Sequence, residues 1–452
     1  MPLTILTDED VRKVLHSLTK EDILDLQQSL ADALHYYSTS VEDNGCCSSY
    51  QPMRTSLKRK DGSTTLFMPA SSSDGLGVKI VTLQAPEEPP AKALESLSLS
   101  SHRRSSSRTS LSASPSSTRS PSVAPSMPPS MSSAQSTTPR GSLTLFDETG
   151  TPSGLINAEE LTAFRTALAS SMLLKKRKNV HNLTVFGAGK QAYWHIRLAL
   201  LLRGDEIHHV NVINRSFDRA REMLIQLYYP FPEDEDYVNP IGQKYGSKTK
   251  TALLTPAHGE YTRLLKEYVR DANVIFCTTP STEPLFPASY LTNPEGRKKG
   301  RYIACIGSYK PHMIELHPDI LRQAVAPHHE HRHFHKHQKE GGAVVVDSVE
   351  ACLREAGEVV QAGLQPDEVV ELGELVMLRR EAEKKREEMR RSSEDGDREG
   401  LQVQDSSGLR GWLTKGNVVY KSVGLGLMDV VVGRDLVRLA NERGVGTTIE
   451  NF

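Results

Sequence analysis

At 452 residues the chain is long enough for two or three domains, and its 55 Lys and Arg balance 56 Asp and Glu to a formal net charge of −1. That balance offers neither a basic surface for nucleic acid nor one for an anionic membrane, and no run approaches the ~20 apolar residues of a membrane helix. Only 37% of residues are hydrophobic, low for a fully folded chain, so the deficit has to sit in unfolded segments. The N-terminus, Met1-Pro2-Leu3-Thr4-Ile5, lacks the basic-then-apolar pattern of a secretory signal. The five cysteines show no metal-ligand spacing, and Cys277, Cys305 and Cys352 fall in apolar runs. A soluble, cytoplasmic protein with reduced thiols is expected.

In the first block, residues 1–86, Thr7 is placed to cap a helix whose first turn is acidic. A second, amphipathic helix from about Thr19 sets Ile23, Leu26, Leu30 and Leu34 on one face. Extended pieces then flank the turn Lys60-Asp61-Gly62-Ser63 up to Leu83. Residues 87–142 are dominated by Ser, Pro, Thr and Arg. They are too poor in apolar side chains to offset ordering entropy, and a disordered insert is expected. The cluster Arg103-Arg104-Ser105-Ser106-Ser107 fits a phosphorylation site, and more simply a solvated insert.

A connecting segment, 143–181, carries a helix from Asn157 to Leu174 with Leu161, Phe164, Ala167 and Leu168 in helical spacing, and with Arg165 upon it. Residues 182–357 alternate β-rich runs (Leu183–Phe186, His209–Ile213, Asn273–Thr278, Tyr302–Ile306, Ala343–Val346) with helical ones. Such alternation means parallel strands with helical crossovers, hence an α/β fold with a Rossmann-type doubly wound sheet. Two inserts in this stretch read as surface loops: 229–243, acidic and Pro-containing, and 328–341, with six histidines between His328 and His337. Those histidines lack helical or finger spacing, and no metal site is expected. In the final segment, 358–452, Glu381/Lys385 and Glu387/Arg391 suit a solvated helix face within a charged insert at about 380–415. Order returns with a strand at Val418–Val423 and a helix through Val430, Leu436, Leu439 and Ala440 that ends at Gly444.

The sharpest motif is Leu183-Thr184-Val185-Phe186-Gly187-Ala188-Gly189-Lys190-Gln191-Ala192: a strand, a Gly-x-Gly-x-x-Ala turn and a helix. Gly187 permits the tight turn, Gly189 lets the backbone approach a pyrophosphate, and Ala192 allows close helix–sheet packing. The helix N-terminus offers unpaired N–H groups and a positive dipole end to phosphate. An NAD site usually ends its second strand in a carboxylate that accepts from the ribose 2′-OH. Here that strand ends in Asn214-Arg215-Ser216, and Arg215 suits a 2′-phosphate, so NADP(H) is expected over NAD(H).

At this point the chain resembles the ornithine cyclodeaminase/mu-crystallin family, most closely its mu-crystallin (ketimine reductase) branch. The resemblance is carried by Gln51-Pro52-Met53-Arg54-Thr55, Met68-Pro69-Ala70, Gly77–Thr82, Phe164-Arg165-Thr166-Ala167 and Gly187–His195. It continues through Asn214-Arg215-Ser216, Ser281-Thr282-Glu283-Pro284, Ile306-Gly307-Ser308, Val346-Asp347-Ser348 and Lys421-Ser422-Val423-Gly424. It implies that the N- and C-terminal segments join into a second α+β domain for substrate binding and homodimerisation, with the nucleotide domain inserted between them. It further implies that Arg54, Lys79 and Arg165 bind a substrate α-carboxylate, and that Thr278 and Ser308 join Gly187, Ala188, Gly189, Lys190, Gln191, Asn214, Arg215 and Ser216 around the cofactor. Three cations on one carboxylate give charge-assisted hydrogen bonds of about 1.5–3 kcal/mol each and fix the substrate face presented to the nicotinamide.

The departures are as informative. Cyclodeaminases carry an acid shortly before Met-Pro, where Leu66 stands here, and an Asp in a Gly-Gly-Asp turn, where Gly307-Ser308-Tyr309 stands here. Both losses argue against converting ornithine to proline and ammonia, and leave hydride delivery to C=N untouched, with Tyr309, Ser308 or water as the proton source and Lys79 and Tyr309 as the catalytic candidates. The expected function is therefore NADPH-dependent reduction of a small cyclic imino acid of the pyrroline- or piperideine-2-carboxylate type. Cyclodeamination by a substitute residue, and NADPH-dependent ligand binding without turnover, are the alternatives.

Overall fold

In the computed structural model, which describes residues 2–39, 51–60, 62–84, 139–234, 236–326, 342–378 and 413–452, the alternating patterns resolve into two sheets. The Ser-rich segment, the His-rich run and most of the charged insert lie outside the described residues.

The first sheet comprises β1 (Leu3–Leu6), β2 (Thr55–Lys58), β3 (Ser63–Ser72), β4 (Gly75–Gln84), β5 (Arg140–Phe146), β6 (Pro152–Asn157) and, from the far end of the chain, β15 (Thr447–Ile449). Its order is β15-β1-β6-β5-β4-β3-β2. Strands β3 and β4 form a hairpin paired from Ser63↔Gln84 to Ser72↔Gly75. The period of two along these strands sends Leu66, Met68, Ala70, Lys79 and Val81 to the buried face. Three helices shape this half. In α1 (Asp8–His16), Thr7 and Asp10 close a capping box. In α2 (Lys20–Thr39), the stripe Ile23, Leu26, Leu30 and Leu34 is buried. Helix α7 (Gly426–Glu442) packs on β3, β4 and β5.

The second sheet is wholly parallel: β7 (Asn182–Phe186), β8 (His209–Ile213), β9 (Lys250–Leu254), β10 (Val274–Cys277), β11 (Tyr302–Cys305), β12 (Gly342–Val346), β13 (Val369–Glu371) and β14 (Asn417–Lys421), in the order β13-β12-β14-β11-β10-β7-β8-β9. Its central strands are short apolar runs buried on both faces, as a covered parallel sheet requires. Helices α4 (Lys190–Arg203) and α5 (Phe217–Tyr228) follow β7 and β8, and α6 (Gly357–Ala362) follows β12 after the short helix Val349–Glu355. Strand order reverses between β7 and β10, the switch point where such sheets hold their ligands.

The joint between the two halves is α3 (Ala158–Leu174), apolar and buried all round. Its Phe164 meets Trp194 of α4 edge-on at 5.2 Å. One continuous core runs from α1, α2 and α7 through α3 to α4.

Three expectations change. The nucleotide sheet does not end near residue 357: β13 and β14 belong to it, because Val418, Val419 and Tyr420 are apolar and buried between β11 and β12. The strand at 418 stops at Lys421, since Ser422 and the amides of Val423 and Gly424 turn away to bind Asp347. Residues 229–243 are not simply a surface loop. Asn239 is buried, donates to the carbonyls of Leu227 and Tyr228, and starts a short helix, Pro240–Tyr245.

Candidate active site

At the end of β7, Gly187 has φ +109°, and a Cβ there would lie 2.6 Å from Thr278 Oγ1, so only glycine fits. Gly189 is the N-cap of α4 and offers no side-chain cap, and open space lies where its Cβ would be. The first-turn N–H groups therefore keep their capacity for an anion, the arrangement a dinucleotide pyrophosphate needs. At the neighbouring strand end, the Asn214 side chain donates to Ser216 O, Ser216 Oγ caps α5 by accepting from Arg219 N, and Arg215 is exposed. Thr278 Oγ1 donates to Phe186 O at 2.7 Å, tying β10 to the turn.

Two expected cofactor contacts stand differently. The Lys190 ammonium is engaged by Asp8, Glu159 and Glu160 at 3.3, 2.9 and 2.8 Å, which leaves its side chain committed to carboxylates of α1 and α3. Ser308 is fully buried, with its hydroxyl on Glu358 at 2.5 Å, and points away from the cleft.

The three expected cations do converge. Arg54, Lys79 and Arg165 line one cavity with Gly189, Gln191, Thr278 and Tyr309. Arg54 precedes β2, Lys79 is on the inward face of β4, and Arg165 projects from α3. A residue that sequence reasoning missed organises them. Asp429, fully buried in the first turn of α7, accepts from Lys79 Nζ at 2.9 Å and Arg165 Nε at 3.1 Å. The signal for it was a lone acid in the run Gly426-Leu427-Met428-Asp429-Val430, since a buried carboxylate needs charged partners. Arg54 pairs with Glu355 and donates to Val423 O at 3.2 Å. Gly424, at φ +87°, leaves room for the Arg165 guanidinium, which a Cβ would meet at 2.7 Å.

The wall that carries Lys79 is otherwise apolar: Leu66, Met68, Val81 and Leu83 with Tyr309 packed on them. Burial pulls the Lys79 ammonium down to about 8; Asp429 opposes the shift and Arg165 adds to it. Burial pushes the Tyr309 phenol up to about 12, against a smaller effect of Arg54. Lys79 therefore exchanges a proton near neutral pH, whereas Tyr309 stays protonated. Among the described residues no cluster of metal-ligating side chains occurs and no helix is long and apolar enough to cross a membrane.

No family model matches the chain. An uncharacterized protein of Saccharomyces cerevisiae is 29% identical over 248 residues, 51% of this chain and 62% of its own length. A delta(1)-pyrroline-2-carboxylate reductase of Bacillus cereus is 27% identical over 69% of this chain and 75% of its own. The ketimine reductase mu-crystallin of Mus musculus is 26% identical over 52% and 59%. Among solved structures, the delta(1)-pyrroline-2-carboxylate reductase of Thermococcus litoralis, in complex with NADH and L-proline, superposes with a TM-score of 0.60 at 18% identity over 98% of this chain and 99% of that one. A lysine cyclodeaminase gives 0.61 at 17% over 99% and 95%. At those identities the structural likeness is one of fold.

Asp429→Asn would leave two buried cations without their countercharge, at a cost of about 3–5 kcal/mol. A lowered urea midpoint with unchanged m-value is expected, and an unchanged midpoint would refute the bridging role.

Proposed function

Because the chain belongs to the ornithine cyclodeaminase/mu-crystallin family, we propose that it reduces a small cyclic imino acid, of the pyrroline- or piperideine-2-carboxylate type, to the corresponding amino acid, with NADPH preferred over NADH. The observation that carries this reading is the convergence of Arg54, Lys79 and Arg165 on the cavity that also holds the open N-terminus of α4.

The residues present fit a nicotinamide dinucleotide, which when bound supplies the hydride. Gly187, Ala188, Gly189 and the first amides of α4 would hold its pyrophosphate. Arg215, at a strand end with no carboxylate, would pair with a 2′-phosphate. The three cations grip the substrate carboxylate and so fix which face of the C=N bond is presented. Lys79 is the proton source for the ring nitrogen, since its affinity of about 8 lies closer to neutrality than that of Tyr309. Ser308, buried on Glu358, is removed from that role. The apolar wall that includes Leu66 accepts the ring carbons and offers no partner to the second amine of ornithine, which disfavours cyclodeamination.

The exposed face of the first sheet supports the homodimer reading. Leu57 (56% exposed), Leu76 (44%), Ile80 (40%) and Leu155 (36%) lie on it, an apolar surface of the kind that symmetric partners cover.

With purified protein, NADPH oxidation by five- and six-membered cyclic imino acids is expected, and Arg165→Ala should abolish it. Its kcat/KM should hold level below pH 8 and fall above it as Lys79 loses its proton. No oxidation, or proline and ammonia from ornithine instead, would refute the reductase reading. Arg215→Ala should weaken NADPH about 10–100-fold, the loss of one charge-assisted bond, and leave NADH unchanged; equal losses for both would place the phosphate elsewhere. Sedimentation should give a dimer that Ile80→Glu converts to monomer, and a monomeric wild type would remove that assignment.

A further inference from the structure

Three buried charged side chains take no part in the proposed reaction. Glu315, Glu358 on α6 and Lys421 at the end of β14 are each no more than 1% exposed. They lie against the loops that follow β10 and β11. Glu315 Oε1 accepts from the Thr279 amide at 2.7 Å, and Oε2 accepts from the Gly307 amide at 2.7 Å. Glu358 accepts from the amide of Glu315 at 2.7 Å and from Ser308 Oγ at 2.5 Å. Lys421 Nζ donates to Ser308 O at 2.5 Å and stands 3.3 Å from Glu358 Oε2. The two loops are pressed together, since a Cβ on Gly307 would fall 2.1 Å from Thr279 O. Thr278 and Pro280 from one loop, and Ile306 and Gly307 from the other, line the same cavity as Gly189. Apolar side chains would fill such a volume at less cost than three charges, so packing alone does not account for the cluster.

On the reading of this cavity as a nicotinamide site, we propose that Glu315 is a positioning residue for the nicotinamide ring: its one carboxylate holds both loops at once and so fixes the cavity floor on which the ring rests. Each oxygen must accept one amide, and only the ionised carboxylate offers two full acceptors. Burial pushes the Glu315 carboxyl up to about 7; Lys421 opposes the shift and Glu358 adds to it. The thiols of Cys277 on β10 and Cys305 on β11 also face the cluster, and burial raises both. Ionised, Glu315 holds both loops; as the pH falls and it takes a proton, one amide loses its acceptor.

The test is amide hydrogen exchange on the full chain without cofactor, paired with an NADPH titration followed by nicotinamide fluorescence. After correction for intrinsic rates, wild-type peptides covering 278–281 and 306–309 should exchange about tenfold faster at pH 6 than at pH 8, the effect of about one hydrogen bond. Glu315→Gln should show the fast rate at both pH values, with peptides of α2 unchanged, and should bind NADPH roughly tenfold more weakly at pH 8. If that variant does not fold, the wild-type pH comparison is sufficient by itself. Loops equally protected at both pH values would overturn the proposal, as would NADPH bound equally by wild type and variant. Loops that respond in a wild-type protein that binds no NADPH would overturn the nicotinamide assignment and the cofactor reading together.

Discussion

Lys79 and Asp429 are 350 residues apart, and Arg165 and Asp429 are 264 apart, yet the three side chains share one buried contact. A cation on β4 and another on α3 cannot both remain under the surface of a protein without a carboxylate between them, because Lys79 would otherwise shed its proton and the Arg165 guanidinium would be a buried charge without a partner. Asp429 removes that conflict and in doing so sets where α7 lies across β3 and β4. This three-way ion contact anchors the first turn of the helix at the cavity and opposes the burial that lowers the proton affinity of Lys79. On the proposed reading, a substrate carboxylate would meet cations already aimed, rather than side chains it must organise itself.

The second constraint is the all-round burial of α3. A helix buried all round cannot sit at a surface, so it must be enclosed, and here α1, α2, α4 and α7 pack on it together with β5 and β11. It delivers Arg165 from one of its turns and packs Phe164 on the nucleotide helix. The distance between the cation cluster and the open end of α4 is thereby set by packed side chains. Asp347 performs the same service at the Ser422-Val423-Gly424 turn, where three donors from the chain close on one carboxylate.

Much of this was legible in the sequence, and the exceptions share a cause. The turn at Gly187 and Gly189 is local: strand, glycines and helix are contiguous, so motif and structure carry the same information. The convergence of Arg54, Lys79 and Arg165 was accessible only through family resemblance, because nothing in their spacing links them. Asp429, Glu315 and Lys421 were missed because the role of a buried charge is set by its partners. Lys79, Arg165 and Ser308 are distant in sequence from the charges they meet, and the partners of Glu315 lie in loops that only the fold brings together. Ser308 was assigned to the cofactor through the family resemblance, but its hydroxyl turns inward onto Glu358 and Lys421. The boundary near 357 failed for a related reason: β14 joins the nucleotide sheet across the whole charged insert, a pairing that no local pattern announces.

The first sheet is opened by β1 and completed by β15, which pair antiparallel with Leu3 opposite Ile449. Every strand of the nucleotide sheet is spelled out between them. Contacts of such sequence separation carry the largest loop-closure entropy and form late. During vectorial synthesis strand β14, which completes the nucleotide sheet between β11 and β12, emerges only just before Asp429, and Lys79 and Arg165 wait for their counter-ion until then. The cavity that these cations line is thus among the last parts of the molecule to assemble, and a chain truncated before α7 would lack the carboxylate that holds them.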